Sequence, residues 1–407
     1  MSNKLFVVGA GPGNQSYMTE AAKDVLRASD CVVAAERHLP LVSWHSNVIL
    51  LKNFEETMKK AERELEKGSV SFLVSGDPGI YSLLPLLKVK FPSRRIDVLP
   101  GISSLQCLCA SASETWNGSA ILSGHGKEIR ESVILETADS NRSTVFFCGN
   151  DKNPSWLCSL LAEKLPHVKV TVGENLSYEN ERITCGSPAD LKDKNFDSLS
   201  IALIINENPY VREEGRPRDC DFIRTDVPMT REEVRSVIID KLRLKKDSVI
   251  WDIGSGTGSI SIAAALECPM GEVHSVECLH EASELEKLNI DKFHIFNIKV
   301  HEGMAAEVIK NLPLPSHVFI GGSGRELCNI LSHISSLQGG IRIVVSGVTL
   351  RTIANASELL SGGNYSDFDC IQLNVSRAKK IGSSTIMAAQ NPIMIMSAVT
   401  KDKGDKR

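Results

Sequence analysis

With 407 residues the chain has room for two domains, and 42% hydrophobic against 24% charged residues is the make-up of a globular protein with buried cores. The net charge of −4 argues against a nucleic-acid partner, and no apolar run reaches the length of a membrane span. The eleven cysteines contain no C-x-x-C pair, so the expectation is a reducing cytoplasm and no metal. The N-terminus runs straight into an apolar stretch, and no secretory or transit segment is expected.

Leu5-Phe-Val-Val-Gly-Ala-Gly-Pro-Gly13 reads as a strand entering a glycine turn. Pro12 lacks an N–H, which makes the turn a poor phosphate cradle. A helix is expected from about Thr19, then a strand at Asp30-Cys-Val-Val-Ala-Ala35 and a surface helix from Phe54 to Lys67. Val70-Ser-Phe-Leu-Val74 is the next strand. Gly76-Asp77-Pro78-Gly79 follows it as a turn at the carboxyl end, where open α/β sheets bind ligands. Ile96-Asp-Val-Leu-Pro-Gly-Ile-Ser-Ser104 repeats the arrangement. Taken singly, Asp77, Ser103 and Ser104 read as turn and cap residues. Further strands are expected at Thr144-Val-Phe-Phe-Cys148, Val168-Lys-Val-Thr-Val172 and Leu199-Ser-Ile-Ala-Leu-Ile-Ile205. Ser123-Gly-His125-Gly126 is a loop after a strand. His125 is a candidate contact for substrate carboxylates, and equally a hydrogen-bonded loop histidine.

Gly-x-Gly-Pro-Gly, Gly-Asp-Pro-Gly-Ile-Tyr, Pro-Gly-Ile-Ser-Ser and Gly173-Glu-Asn-Leu-Ser-Tyr-Glu-Asn-Glu-Arg182 occur in this order. The series resembles the tetrapyrrole methylase family over roughly residues 4 to 208. Arg37-His38-Leu39 looks like the branch that methylates a late precorrin, although Ala35-Glu36 departs from the glycine expected before the Arg-His pair. The resemblance implies two α/β lobes, residues 1 to about 112 and about 118 to 208. It also implies S-adenosylmethionine in the cleft between them, on Gly76, Asp77, Pro78 and Ile80, with Ser103 and Ser104 behind.

Residues 209–224 are rich in proline and charge and read as a linker. A second domain is expected over 225–400. Thr230, with Glu233 three residues later, reads as a capping box on a helix whose buried stripe is Val234, Val237, Ile238 and Leu242. Lys241-Leu-Arg-Leu-Lys-Lys246 reads as the solvated end of that helix.

Val249-Ile-Trp-Asp-Ile-Gly-Ser-Gly-Thr-Gly258 is a buried strand ending beside an acid, a tight turn and a helix start. A dinucleotide site wants Gly-x-Gly-x-x-Gly. Here the third glycine comes one residue early and Ser259 holds the dinucleotide position, so no pyrophosphate is expected. The pattern suits a nucleoside with a small charged appendage, as in S-adenosylmethionine. Val273-His-Ser-Val-Glu277 reads as the next strand, and Glu277 can accept from both ribose hydroxyls. Val318-Phe-Ile-Gly-Gly-Ser-Gly324 ends another strand in glycines, a floor for a large flat acceptor at Gly321 and Gly322. Arg325, Arg351 and Arg377 are candidates for pairing its carboxylates, with surface salt bridges as the plainer alternative. The tail from Lys401 to Arg407 reads as frayed.

Pro-Met-Thr230-x-x-Glu-Val, the glycine turn, Glu302-Gly-Met-Ala305, the Val318 strand and Asn391-Pro-Ile resemble the decarboxylating C15 methylases of corrin synthesis, a branch of Rossmann-like class I methyltransferases. The resemblance covers residues 225 to about 399. It implies a cofactor set of Thr230, Asp252, Gly254, Ser255, Gly256, Thr257, Gly258, Glu277 and Ala305, with Met304 standing where an acid is common. Together the two resemblances imply a bifunctional C-methyltransferase of cobalamin biosynthesis with two S-adenosylmethionine sites. It would methylate a precorrin macrocycle at C5 and C15, decarboxylate the C12 acetate and self-associate. RNA or protein methylation is one alternative. The other is that one half only holds the macrocycle.

Overall fold

The computed structural model describes residues 4–125, 128–213 and 215–402. Gly126 of the expected His125 loop and residues 403–407 of the expected frayed tail lie outside the described residues. The chain divides into two compact units, Met1–Tyr210 and Val211–Arg407.

The first unit has two lobes. One is an all-parallel sheet of β1 (Leu5–Gly9), β2 (Cys31–Ala34), β3 (Val48–Leu50), β4 (Val70–Val74) and β5 (Ile96–Leu99), in the order β3-β2-β4-β1-β5. Its central strands are apolar on both faces because helices cover both. Leu5, Val7, Val33 and Phe72 pack against Met58 and Leu65 of the helix Phe54–Leu65. Val8, Val32 and Leu73 pack against Ala22 and Leu26 of the helix Glu20–Ala28, which Thr19 caps.

The other lobe is a mixed sheet of β6 (Ala120–Ser123), β7 (Ser143–Phe147), β8 (Lys169–Glu174), β9 (Arg182–Gly186) and β10 (Ser200–Ile205), in the order β6-β7-β10-β8-β9. Only β6 and β7 pair in parallel; β10 runs antiparallel to β7 and β8. The expected lobe boundary near residue 112 needs correction. The helix Ser104–Ser111 buries Leu105, Leu108 and Cys109 against Val145, Ile201 and Leu203, so it packs on the second sheet. The crossing therefore falls near Gly101.

The second unit carries a seven-stranded sheet. Its strands are β11 (Val249–Ile253), β12 (Glu272–Glu277), β13 (Ile298–Glu302), β14 (His317–Ile320), β15 (Arg342–Gly347), β16 (Tyr365–Leu373) and β19 (Ile393–Thr400), in the order β13-β12-β11-β14-β15-β19-β16. The first five are parallel, and β19 and β16 close one edge antiparallel. The remaining strands, β17 (Ser376–Ile381) and β18 (Ser384–Ala389), form a separate hairpin. The strand order reverses between β11 and β14, the switch point at which such sheets open a crevice.

Part of the stretch read as a linker belongs to the second unit. Phe222 joins its core beside Val234, Ile238 and Phe293. Asp219, itself buried, accepts from buried Arg235 at 3.3 Å, and Arg235 also donates to the carbonyls of Pro217 and Thr230. A buried guanidinium needs such partners, and the irregular stretch supplies them.

Candidate functional sites in the two units

In the second unit, loops from five carboxyl strand ends enclose a cavity of about 860 Å³. Its first wall is the glycine turn. Gly254, Gly256 and Gly258 all have positive φ, which a side chain would strain. A Cβ on Gly254 would also lie 2.3 Å from the Gly322 carbonyl oxygen. The two glycine segments thus meet across the switch point because Gly254 carries no side chain, whereas a Cβ on Gly322 would find only ordinary contact at 3.7 Å.

Glu277 ends β12 at the cavity. Its Oε2 accepts from Gly256 N–H (3.0 Å), and its Oε1 accepts from Cys278 N–H (2.8 Å) and Leu279 N–H (3.0 Å). The backbone thereby aims the carboxylate, whose remaining lone pairs can accept ribose hydroxyls.

Beneath the turn lie two buried carboxylates. Asp252 accepts from Ser261 Oγ at 2.5 Å and Glu286 from Ser255 Oγ at 2.6 Å. Burial first, then the charges of Glu286 and Glu277, pushes Asp252 up to about 7. Burial likewise raises Glu286.

Of the residues expected to hold the donor, Thr230, Gly254, Ser255, Gly256, Glu277 and Ala305 line the cavity. Asp252, Thr257 and Gly258 do not: Asp252 and Thr257 are buried below the turn, and Gly258 packs against Glu286. The capping box expected at Thr230 is not formed. The helix Glu232–Leu242 starts after Arg231 with no side-chain cap, and Glu233 instead pairs with Arg377 at 2.7 Å. That pairing, with Glu232 and Asp219, engages Arg377 away from the cavity. Arg351 also falls outside the lining, whereas Gly321, Gly322 and Arg325 are in it. Arg231, Leu279, Val348 and Gln390 line it too and carried no sequence signal, because loops distant in the chain bring them there.

In the first unit a cleft of about 470 Å³ lies between the lobes. A Cβ on Gly9 would stand 2.6 Å from Gly101 N, and one on Gly101 2.3 Å from Gly76 O. Three strand ends therefore converge through bare glycine backbone. Asp77 clips them, accepting from Gly79 N–H (2.7 Å) and Gly101 N–H (3.1 Å). Ser103 caps its helix in a capping box with Gln106. Tyr81, at φ 44°, donates to Ile121 O at 3.0 Å and meets the Phe147 ring edge-on, joining the lobes. Gly76, Asp77, Ile80, Ser103, Ser104 and His125 line the cleft; Pro78 does not. Burial, then the charge of Arg37, lowers His125. Arg37, Asn150 and Tyr178 line it as well.

Residues 4–192 match the family model for tetrapyrrole (corrin/porphyrin) methylases, and residues 221–400 match that for the precorrin methyltransferase domain. A Pyrobaculum calidifontis protein described as a probable cobalt-precorrin-6B C(15)-methyltransferase (decarboxylating) is 40% identical over 193 residues, covering 47% of this chain and 97% of the relative. The chain belongs to the decarboxylating precorrin methyltransferase family. The precorrin-6Y C(5,15)-methyltransferase [decarboxylating] of a Sinorhizobium species is 25% identical over 393 residues, 94% of this chain and 92% of the relative. Membership implies S-adenosylmethionine as methyl donor, and the glycine turn with the aimed Glu277 carboxylate suits its nucleoside. Among the described residues no helix is long and apolar enough to cross a membrane.

Proposed function

We propose that this decarboxylating precorrin methyltransferase acts on a precorrin-6Y type macrocycle in cobalamin biosynthesis. The first unit methylates C5. The second methylates C15 and removes the C12 acetate carboxyl as carbon dioxide, giving a precorrin-8 type product. The observation that carries this reading is a built crevice in each unit, at the carboxyl edge of that unit's own parallel strands. On this reading each crevice holds one S-adenosylmethionine.

The donor supplies a methyl group on a sulfonium, already activated for transfer. The chain's residues bind and align. Glu277 takes the ribose, and the bare backbone of Gly254 and Gly322 lets donor and acceptor approach. Met304, Leu279 and Val348 give the second cavity an apolar rim against which a flat macrocycle excludes water. The acceptor carbons belong to an electron-rich conjugated ring and are themselves the nucleophiles. The electron pair freed by decarboxylation passes into that ring, offsetting the positive charge left by methyl transfer, and a proton from solvent completes the C12 methyl. On this reading no side chain forms a covalent intermediate.

Mass spectrometry of the macrocycle after incubation with the protein and S-adenosylmethionine tests the reading, with metal-free and cobalt forms in parallel. Gain of two methyls with loss of one carbon dioxide is expected. No change with either form, despite donor binding, would refute it.

A further inference from the structure

Arg37 follows β2 at the carboxyl edge of the parallel sheet and is exposed at the mouth of the first unit's cleft. It is the only arginine or lysine among the described residues lining that cleft. Its Nη2 donates to Ser75 Oγ at 2.6 Å, and Ser75 Oγ lies 3.0 Å from His38 Nε2. His38 is 2% exposed, and burial, then the charge of Arg37, pushes it down to about 4. The imidazole is therefore neutral near pH 7. With Nε2 as acceptor, the Ser75 hydroxyl donates to it and keeps a lone pair for Arg37, so one edge of the guanidinium is tethered to a buried anchor.

Among the described residues no carboxylate pairs with the other edge. Arg142, Arg182, Arg218 and Arg377 each pair with an acid within 4 Å, but no such pair forms at Arg37 among the described residues. The acid among the described residues lining the cleft, Asp77, is committed to backbone N–H groups of Gly79 and Gly101. A tethered guanidinium with a free fork, at the mouth of a cleft for a polyacidic ring, matches a carboxylate in bidentate geometry.

We infer that Arg37 grips an acetate or propionate carboxylate of the macrocycle and sets its orientation for the first unit's methylation, with Ser75 and His38 as positioning residues behind it. This rests on the proposed function.

The test uses the full chain, the macrocycle and S-adenosylmethionine, with the two methylations resolved by product mass. R37M is expected to raise KM of the macrocycle for C5 methylation about tenfold or more, with kcat and donor binding little changed. R37K keeps the charge but not the fork and falls between. S75A shifts KM in the same direction by a smaller factor. C15 methylation with decarboxylation serves as the internal control and is unaffected. A macrocycle amidated at the gripped carboxylate is expected to react equally well with wild type and R37M. Unchanged KM in R37M, while wild type methylates C5, overturns the inference. So does loss of donor binding in R37M that R37K does not restore, because Arg37 would then be holding the loop. Failure of the wild type to methylate the macrocycle refutes the proposed function instead.

Discussion

Glu277 is braced by three backbone N–H groups. Replacing it by Gln leaves an oxygen for the brace but removes the charge and puts an NH2 where an acceptor is needed. With one donor per unit, as proposed, E277Q is expected to lose one of two donor-binding events per chain in calorimetric titration, weakening that site about tenfold or more. Asp252 has a folded-state pKa of about 7, raised by burial. Below about pH 4 the carboxyl is protonated whether the chain is folded or not. Between there and pH 7 only the folded state keeps the proton. Stability from this group is therefore full at low pH and is lost as pH rises through 7. D252N cannot titrate, so its unfolding midpoint is expected to gain on that of wild type as pH rises from 5 to 8, read by thermal unfolding. Asp252 and Glu277 both stand at the carboxyl ends of strands, one short of the last residue and at it respectively. Only packing distinguishes them: one lies under the turn with Ser261, the other at the cavity.

At the scale of elements, each unit lines its crevice with glycine backbone, through which the proposed ligands would be approached. G254A adds a Cβ 2.3 Å from Gly322 O at φ +77°, and strain of this kind costs about 1–3 kcal/mol. The expected product carries the C5 methyl without the C15 methyl and keeps its C12 carboxyl, seen by mass spectrometry. G101A, whose Cβ would meet Gly76 O, is expected to give the reverse. The glycine turns, their strands and the helix after Gly258 were legible because turn chemistry and apolar runs are local signals. Thr230 misled for an equally local reason: its capping box was overridden when Glu233 found Arg377, more than a hundred residues away in the chain.

For the whole molecule, the division at Tyr210 and Val211 implies that residues 211–407 hold their own core. A chain starting at residue 211 is expected to fold cooperatively by calorimetry. One starting at 225 loses Phe222 and leaves Arg235 buried without Asp219. The expected destabilisation is on the order of 3–5 kcal/mol. The sequence by itself determined the two α/β units and the glycine-rich strand ends that line their crevices, and it favoured a nucleoside donor over a dinucleotide, since each depends on residues adjacent in the chain. Tertiary structure alone decided that the helix after Ser103 serves the second lobe and that residues 219–222 are core. It also decided that Arg377 is consumed in an ion-pair network while Arg37 has no acid partner among the described residues. Burial and pairing join residues far apart in the chain, and local pattern carries no record of them.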